Sequence, residues 1–299
     1  MTNPAFIGGD WGTSRLRLFL CDDAGRVLAR AEGPGAAAGD CAKTFADLTA
    51  QWDKGLPAIL SGMVGSTIGW REVSYLKCPL PLDRLASGAL RFEAEGRQVA
   101  ILPGLTCRNK TGMPDVMRGE ETQLAGALRL GRSLGRGRRL FCLPGTHAKW
   151  VEVVDGAVTG FQTALSGELF DLLAKHSVLA RDGGTAQPDS PAFQQGLKAA
   201  REHRGAGLLH LLFSTRSRQL AGEIAKDQAA SYLSGLIIGE DVAAAEELFH
   251  LDGPVTLICT PALAALYQVP LSQYGALVLD GEETARAGLL SAWRSLFVS

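Results

Sequence analysis

Near the start of the chain, an aspartate, a glycine and two hydroxyl side chains lie close together in the stretch Asp10-Trp-Gly12-Thr13-Ser14. Residues 15–21 then place Arg15 and Arg17 on one side and Leu16, Leu18 and Leu20 on the other, which is the two-residue period of a β-strand. The stretch therefore lies in a tight bend between two strands, where backbone N–H groups have no strand partner and can converge on an anion such as phosphate. A plain structural hairpin bend is the alternative interpretation.

The rest of the chain contains a second set of similar features in the same order. Gly145-Thr146 forms another bend, followed by a strand and a turn at Asp155. In addition, GEETQLAGAL from Gly119 matches GEETARAGLL from Gly281 at seven of ten positions, and both read as helices with acidic first turns. This repeated order predicts a duplicated α/β domain, with one copy in residues 1–130 and the other in 131–299.

Short apolar stretches supply the remaining strands of each half. They are PAILSG and VAILPG in the first half and PVTLIC and GALVLDG in the second. The first half also has a long loop at 105–118, and the second has a helical insertion at about 166–250. We predict two similar halves that face each other across a cleft.

That arrangement would bring two phosphate-binding bends to one nucleotide. Asp10 would face them and hold hydrated Mg²⁺, an ion that keeps most of its waters and needs few carboxylates. Small residues in the two GEET helices, Ala125-Gly126 and Ala287-Gly288, would let those helices cross closely. Closure of the halves would then expel water around a transferring phosphoryl group.

Composition excludes several other classes of protein. The 299 residues carry a net charge of −1, so no general field attracts nucleic acid or acidic membranes. The sequence has no apolar run as long as a membrane-spanning helix, and we expect no signal peptide because MTNPAFIGGDWG lacks a basic start and an apolar core. Its six scattered cysteines are typical of buried thiols in a reducing compartment. We therefore expect a cytoplasmic enzyme acting on small molecules, and the oligomeric state stays open, a homodimer included.

A set of strings in a fixed order carries a resemblance to a known family: DWGTSRLR, SGMVGSTIGW, MRGEETQL, LPGTHAKWV, SGELFDLL and YLSGLIIGED. The chain resembles the 2-dehydro-3-deoxygalactonokinases, and its two bends resemble the phosphate motifs of the actin–hexokinase–Hsp70 superfamily. The resemblance implies two actin-like (ribonuclease H-like) domains with a nucleotide cleft between them. It also implies phosphorylation of the terminal hydroxyl of 2-dehydro-3-deoxy-D-galactonate by ATP with Mg²⁺, in galactonate breakdown.

The same resemblance implies a set of nucleotide-binding residues, with Asp10 also as metal ligand: Asp10, Gly12, Thr13, Ser14, Gly145, Thr146, His147, Lys149 and Thr260. For His147 the alternative is that it only lines the bend, and for Lys149 that it is a solvated strand residue. Members of the superfamily usually have glycine in the turn beneath the adenine, where this chain has Cys259-Thr260-Pro261.

A general base is expected just before or within the first GEET helix, as in related sugar kinases. Glu121 is the first candidate and Glu120 the second, with Asp171 as an outside candidate. The alternative is that both glutamates only complement the helix dipole, as Glu282 and Glu283 would in the second copy.

The substrate is an acid and needs donors for its carboxylate and adjacent ketone. Two arginines can form bidentate pairs with a carboxylate, and a glycine-rich stretch offers backbone amides, hydroxyls and an aromatic ring. The candidate substrate-binding residues are Ser61, Gly62, Met63, Gly65, Ser66, Trp70, Arg71 and Arg118.

Three other functions stay open beside this kinase. The chain could be a phosphohydrolase of the same fold, a non-catalytic sensor or filament module, or a kinase for the epimeric 2-keto-3-deoxygluconate. A serine hydrolase is disfavoured because GRSLG at 131–135 lacks the strand before and the helix after that this motif requires. A P-loop kinase is excluded because no GxxxxGK[ST] occurs.

Overall fold

The computed structural model describes residues 3–181 and 183–298. The chain folds into two compact units. Unit 1 comprises Met1–Arg139, Val151–Phe161 and Leu279–Ser299, and unit 2 comprises Leu140–Trp150 and Gln162–Val278. The predicted division into 1–130 and 131–299 stays a prediction.

The first sheet of the fold is built around the hairpin that the sequence predicts. Its strands, in chain order, are β1 (Phe6–Trp11), β2 (Arg15–Cys21), β3 (Val27–Pro34), β4 (Ala58–Gly62), β7 (Leu90–Ala94) and β8 (Arg97–Ile101), and α1 (Cys41–Thr49) follows β3. They lie in the order β3-β2-β1-β4-β8-β7. β1 runs antiparallel to β2 and parallel to β4, so β1 and β4 end at the same edge of the sheet.

The predicted loop at 105–118 is wrong. It forms a β-hairpin, β9 (Leu105–Arg108) and β10 (Pro114–Met117), which joins β5 (Leu76–Lys77) in a three-stranded sheet. The hairpin turns at Gly112, which has a positive φ of 82°. Its strands have only four residues each, too few to show an alternating pattern.

A second six-stranded sheet has the order β15-β14-β11-β12-β13-β6. Its strands are β6 (Leu80–Pro81), β11 (Arg138–Leu143), β12 (Ala148–Val154), β13 (Ala157–Ala164), β14 (Val255–Cys259) and β15 (Ala276–Asp280). Numbered from the start of each half, both sheets contain four adjacent strands in the order 3-2-1-4, and β11 runs parallel to β14 as β1 does to β4. The two sheets thus share the central strand order that the predicted duplication implies.

The predicted helical insertion is also confirmed. Between β13 and β14 lie α3 (Ser166–His176), α4 (Pro191–Glu202), α5 (Leu208–Leu212), α6 (Ser214–Leu220) and α7 (Ala229–Phe249). α8 (Pro261–Leu271) follows β14. α7 is apolar on nearly all sides and is the buried centre of this group.

The two GEET segments form α2 (Glu120–Leu130) and α9 (Gly281–Phe297), which cross within unit 1. A Cβ placed on Gly126 would lie 1.8 Å from the carbonyl oxygen of Thr284, and one on Gly288 would lie 2.0 Å from that of Thr122. The backbones therefore touch where the sequence has small residues, and the predicted close crossing is confirmed.

Within the described residues, no helix combines the length and apolar character needed to cross a lipid bilayer. The six cysteines are free thiols, and four of them are buried, as their scatter along the sequence suggests.

Candidate active site

Asp10 lies on β1 one residue before the strand ends, and its carboxylate already has a partner. The Nη2 atom of Arg17, on the neighbouring strand β2, lies 2.5 Å from its Oδ2 atom. The other guanidinium nitrogen lies 3.7 Å from Glu282 at the start of α9, and Glu282 in turn contacts Arg30 at 2.7 Å. Arg17 was missed by the sequence reasoning, although its place opposite Asp10 follows from the hairpin register.

The bend after β1 is held by the 3₁₀ turn Ala36–Ala38, which follows β3. Gly12 donates its N–H to the carbonyl oxygen of Arg15 at 2.9 Å, while the carbonyl oxygens of Gly12 and Thr13 accept from Ala36 and Ala37. Thr13 and Ser14 are exposed. The carbonyls of the bend thus point into the fold, and the two hydroxyl side chains lie at its surface.

Three buried polar side chains lie beside Asp10, at the end of β4 and the start of α2. Ser61, the register partner of Asp10 on β4, lies 2.6 Å from the hydroxyl of Thr122, which donates to Glu121 at 3.2 Å. Both carboxylate oxygens of Glu121 also accept from the N–H of Gly119, at 2.9 and 2.8 Å. The hydroxyls of Ser61 and Thr122 thus connect β4, the neighbour of β1 in the sheet, to the first turn of α2.

The Glu121 side chain is completely buried. Desolvation, reinforced by the neighbouring charge of Glu120, raises its pKa to about 8, against the lowering effect of the N–H donors and Arg118. Glu121 therefore carries a proton at neutral pH. Glu120 is only half-buried, and its Oε2 atom accepts from the backbone N–H of Arg118 at 3.1 Å.

The glycine-rich stretch after β4 forms a 3₁₀ turn, Met63–Gly65, that is tied closely to its surroundings. Gly62 has a φ of 95°, and a Cβ there would lie 2.6 Å from the carbonyl oxygen of Trp11. A Cβ on Gly65 would lie 2.8 Å from Nη1 of Arg118. Ser66 is turned back onto the same segment, donating to the carbonyl of Met63 at 2.7 Å.

Two of the remaining substrate candidates belong to an aromatic cluster. Trp70 packs against Phe45 and Phe92, and the exposed Arg71 stacks over the ring of Phe92 at 4.4 Å. Both side chains are thus engaged with these rings rather than with Asp10.

Arg118 is held at the start of α2 with part of its hydrogen-bonding capacity unused. Its guanidinium lies over the ring of Tyr75 at 4.2 Å, and Nη2 donates to the carbonyl of Val73 at 2.7 Å. Its buried Nε and Nη1 atoms have no acceptor among the residues that the structure describes. Buried donors without a partner are rare and mark a place for a water molecule or a ligand oxygen.

In unit 2, the second Gly-Thr bend packs against the first turn of α3. Glu168 donates its backbone N–H to the carbonyl of Thr146 at 2.8 Å, and its carboxylate lies 2.6 Å from Nε2 of His147. A Cβ on Gly167 would lie 2.1 Å from the carbonyl oxygen of Gly145, whereas a Cβ on Gly145 itself would meet no atom within 4 Å. Gly145 therefore faces open space, and Gly167 does not.

Lys149 follows on β12 with only 5% of its surface exposed. The interpretation that it is a solvated strand lysine is therefore wrong. Asp171, the outside candidate for the base, is exposed on α3 and forms an i,i+4 ion pair with Lys175 at 2.8 Å. Thr260 is the exposed N-cap residue of α8, and its hydroxyl does not bond to the helix backbone.

A small apolar cavity of about 100 Å³ lies between the second bend and the helices of unit 2. Its walls are mainly apolar and come mostly from the second bend and from α3, α7 and α8. The lining residues are Pro144, Gly145, Ser166, Gly167, Phe170, Ala186, Ser234, Ile237, Ile238, Leu263, Leu266 and Tyr267.

One buried carboxylate in unit 2 was missed by the sequence reasoning. Asp241 on α7 accepts hydrogen bonds from Trp150, Ser166 and Tyr267. Desolvation raises its pKa, and the three donors oppose that rise. The signal was available, because Asp241 and its neighbour Glu240 are the two charged residues of the mainly apolar run SYLSGLIIGEDVAAA.

Comparison with known families identifies the arrangement. A family model described as 2-keto-3-deoxy-galactonokinase matches residues 10–292. The chain belongs to this family.

Members of the family with curated descriptions align over almost the whole chain. The chain is 39% identical to the probable 2-dehydro-3-deoxygalactonokinase DgoK1 of Rhizobium meliloti (strain 1021), over 99% of each sequence. It is 31% identical to the 2-dehydro-3-deoxygalactonokinase of Escherichia coli (strain K12), over 96% of each. The resemblance stated from the sequence motifs is therefore confirmed.

Solved structures agree with the fold. A crystal structure described as a "putative 2-dehydro-3-deoxygalactonokinase protein" from Sinorhizobium meliloti superimposes with a TM-score of 0.89 at 37% identity, covering 98% of this chain and 100% of that one. Component A of the (R)-2-hydroxyglutaryl-CoA dehydratase of Acidaminococcus fermentans, at 12% identity and a TM-score of 0.52 over 98% of this chain and 99% of that one, shares the fold alone. The predicted α/β class with two actin-like domains is confirmed.

Proposed function

We propose that this protein is a sugar-acid kinase that transfers the γ-phosphoryl group of ATP to the terminal hydroxyl of 2-dehydro-3-deoxy-D-galactonate. The products are ADP and 2-dehydro-3-deoxy-6-phospho-D-galactonate. The observation that carries this proposal is the alignment with curated 2-dehydro-3-deoxygalactonokinases from end to end of the chain.

Each Gly-Thr bend is proposed to bind phosphate oxygens of the nucleotide. In the first, the exposed hydroxyls of Thr13 and Ser14 and the backbone N–H groups beside them are the donors. In the second, the open space over Gly145 admits a phosphate close to the backbone, with Thr146 as a further donor.

Asp10 is the proposed ligand of Mg²⁺. No group of three or more acidic, histidine or cysteine side chains within the described residues could enclose a metal by itself. A single carboxylate next to two hydroxyls nevertheless fits Mg²⁺, which retains waters and takes its other ligands from substrate phosphates. When bound, the ion would neutralise charge on the transferring phosphoryl group. Arg17 would keep the Asp10 carboxylate oriented toward it.

The apolar cavity in unit 2 is the proposed site of the nucleoside base. It lies directly behind Gly145, and Thr260 begins the helix that supplies Leu263 and Leu266 to its wall. In this placement the cavity holds the base and the Gly145 bend holds the phosphates. Binding of the base then does not require a glycine in the turn at 259–261.

Arg118 is the proposed partner of the substrate carboxylate. Its guanidinium has two nitrogens without an acceptor among the described residues, and stacking on Tyr75 fixes its plane. Nε and Nη1 point from different edges of the guanidinium, so one of them would donate a charge-assisted hydrogen bond to a carboxylate oxygen. Arg71 is left out because its own stacking on Phe92 holds it elsewhere.

Glu120 is the proposed general base, and Glu121 supports it. Phosphoryl transfer requires mainly positioning and charge neutralisation, but a carboxylate beside the attacking hydroxyl orients that hydroxyl and receives its proton. Glu121 has no exposed surface, so it cannot touch a sugar hydroxyl directly. Glu120 begins the same helix, directly after Gly119, which lies beside Gly62, and is partly exposed.

The proposed activity is tested by coupled assay of ADP formation with a panel of 2-keto-3-deoxy acids. Saturable ADP formation with 2-dehydro-3-deoxy-D-galactonate, and weaker activity with its gluconate epimer, is the expected result. Preference for the epimer would change the substrate but keep the kinase. Phosphate release from ATP that no acid accelerates would instead identify a phosphohydrolase.

The base is tested with Glu120→Gln and Glu121→Gln assayed in parallel. We expect Glu120→Gln to lower kcat by about 10²–10⁴-fold, the usual contribution of a general base. Glu121→Gln should lower it far less at neutral pH, because the wild-type side chain is already protonated there. The reverse order of effects would return the role of base to Glu121.

A further inference from the structure

Asp241 on α7 is a buried carboxylate that takes part in neither bend. It is 8% exposed, and its two oxygens accept from three donors. These are the indole N–H of Trp150 at 2.8 Å, the hydroxyl of Ser166 at 2.7 Å and the phenol of Tyr267 at 2.6 Å. Short hydrogen bonds to a charged acceptor are among the stronger contacts available to a protein.

The three donors come from three different elements, all within unit 2. Trp150 lies on β12, the strand that leaves the second Gly-Thr bend. Ser166 begins α3, directly before Gly167, whose position is fixed against the carbonyl of Gly145. Tyr267 lies on α8, the helix that follows Thr260. A single carboxylate on α7 therefore connects β12 with α3 and α8, and all three helices line the apolar cavity.

Two of the donors are also walls of that cavity, namely Ser166 and Tyr267. The cavity is small, about 100 Å³, so a rotation or shift of the Tyr267 ring would change a large fraction of its volume. Burying a carboxylate for fold stability alone is a poor solution, because apolar side chains of similar size usually serve as well. The free-energy cost of burying the Asp241 carboxylate is explained if this group defines the shape of a binding site.

We propose that Asp241 is a positioning residue for the nucleoside site: by holding Ser166 and Tyr267 in place, it sets the width of the cavity that receives the base. This inference rests on the proposed use of ATP. It assigns to Asp241 no contact with nucleotide, substrate or reacting atoms.

The test compares two tyrosine-to-phenylalanine variants that each remove one buried hydroxyl in unit 2. Tyr267→Phe removes the bond to Asp241. Tyr232→Phe removes a bond of similar length, 2.8 Å, to Ser214, at a residue that does not line the cavity. Asp241→Asn is the third variant. Affinity for ADP is measured by titration calorimetry, and thermal melting is recorded without ligand.

We expect Tyr267→Phe and Asp241→Asn to raise the Kd for ADP by about tenfold, because binding must then restore the cavity shape that the lost hydrogen bond maintained, at a cost close to that bond's contribution. The KM for ATP should rise in parallel, while kcat and the KM for the sugar acid change little. Tyr232→Phe should lower the melting temperature by a similar amount to Tyr267→Phe and leave the Kd for ADP as in the wild type.

The inference is overturned if Tyr267→Phe and Tyr232→Phe change the Kd for ADP equally. It is also overturned if the Kd is normal in both Tyr267→Phe and Asp241→Asn. Either result leaves the kinase proposal intact. A wild-type protein with no measurable affinity for ADP would overturn the proposed function, and this inference with it.

Discussion

Replacement of Glu121 by glutamine should change how the stability of the protein depends on pH. Glu121 is fully buried, with its carboxyl group bonded to Gly119 and Thr122, and its pKa is raised from 4.5 to about 8. The folded protein therefore holds a proton on Glu121 between these two values, whereas the unfolded chain has released it. The contribution of Glu121 to the free energy of unfolding is therefore greatest below pH 4.5 and is lost as the pH rises through 8.

The size of the effect follows from the two pKa values. A difference of about 3.5 units, at about 1.36 kcal/mol per unit, corresponds to an upper limit of about 5 kcal/mol in the free energy of unfolding. Glutamine resembles protonated glutamic acid in shape and can make both hydrogen bonds. At pH 5 the wild type and Glu121→Gln should therefore differ little, and at pH 9 the variant should be the more stable of the two.

Equilibrium urea unfolding at intervals between pH 5 and pH 9 measures this difference. The matched control is Glu283→Gln, at the corresponding position of the second GEET helix, where the side chain is exposed. Its curve should run parallel to that of the wild type. If the Glu121→Gln curve is parallel as well, Glu121 is ionised throughout this range and the reasoning from its burial is wrong.

Four further substitutions test the site and the fold. Asp10→Asn should lower kcat by about 10²-fold or more with the melting temperature retained, because it removes the charge proposed to hold Mg²⁺; near-normal turnover at saturating Mg²⁺ would contradict this role. Gly145→Ala should raise the KM for ATP without loss of stability, since its Cβ meets no protein atom within 4 Å; a lower melting temperature with a normal KM would make the bend structural only. Arg118→Gln should raise the KM for the sugar acid by about 10- to 100-fold, the value of a hydrogen bond to a charged group, and an unchanged KM would remove Arg118 from the carboxylate site. Gly126→Ala should destabilise the fold by at least about 1–3 kcal/mol in urea unfolding, because its Cβ would lie 1.8 Å from the Thr284 carbonyl; wild-type stability would mean that the helices can separate at little cost.

Much of the fold could be predicted because its signals are local. Alternation in residues 15–21 and the turn residues at Asp22 and Asp155 define the hairpins, and the repeated order of segments predicts two similar sheets. The three-stranded sheet around β9 and β10 could not be predicted in this way. Its strands have two to four residues, and their pairing depends on contacts between segments far apart in sequence.

The site was predictable as a set of motifs but not as a set of roles. Ser61 and Glu121 belong to recognisable strings, yet only the structure shows that a hydroxyl of Thr122 joins them and that all three are buried. Burial of an individual polar side chain depends on tertiary packing, which a single sequence does not display. The same limit explains why Asp241 was missed, since its three donors come from separate elements.

The two GEET helices show how neighbouring residues assign different roles to the same local sequence. Before α9 stands Asp280, whose carboxylate caps the helix by accepting from the N–H of Glu283 at 2.8 Å. The residues before α2 are Arg118 and Gly119, which supply no side-chain cap, so Glu121 turns back to bond with the N–H of Gly119 and becomes buried.

With its cap supplied by Asp280, α9 leaves Glu282 available for another contact. Glu282 pairs with Arg30 at 2.7 Å and lies 3.7 Å from Arg17, the partner of Asp10. Because a guanidinium held by two carboxylates has little freedom to rotate, Glu282 restrains Arg17 and, through it, the Asp10 side chain. The second copy of the helix thus supports the first Gly-Thr bend, a role that neither its own sequence nor its resemblance to the first copy predicts.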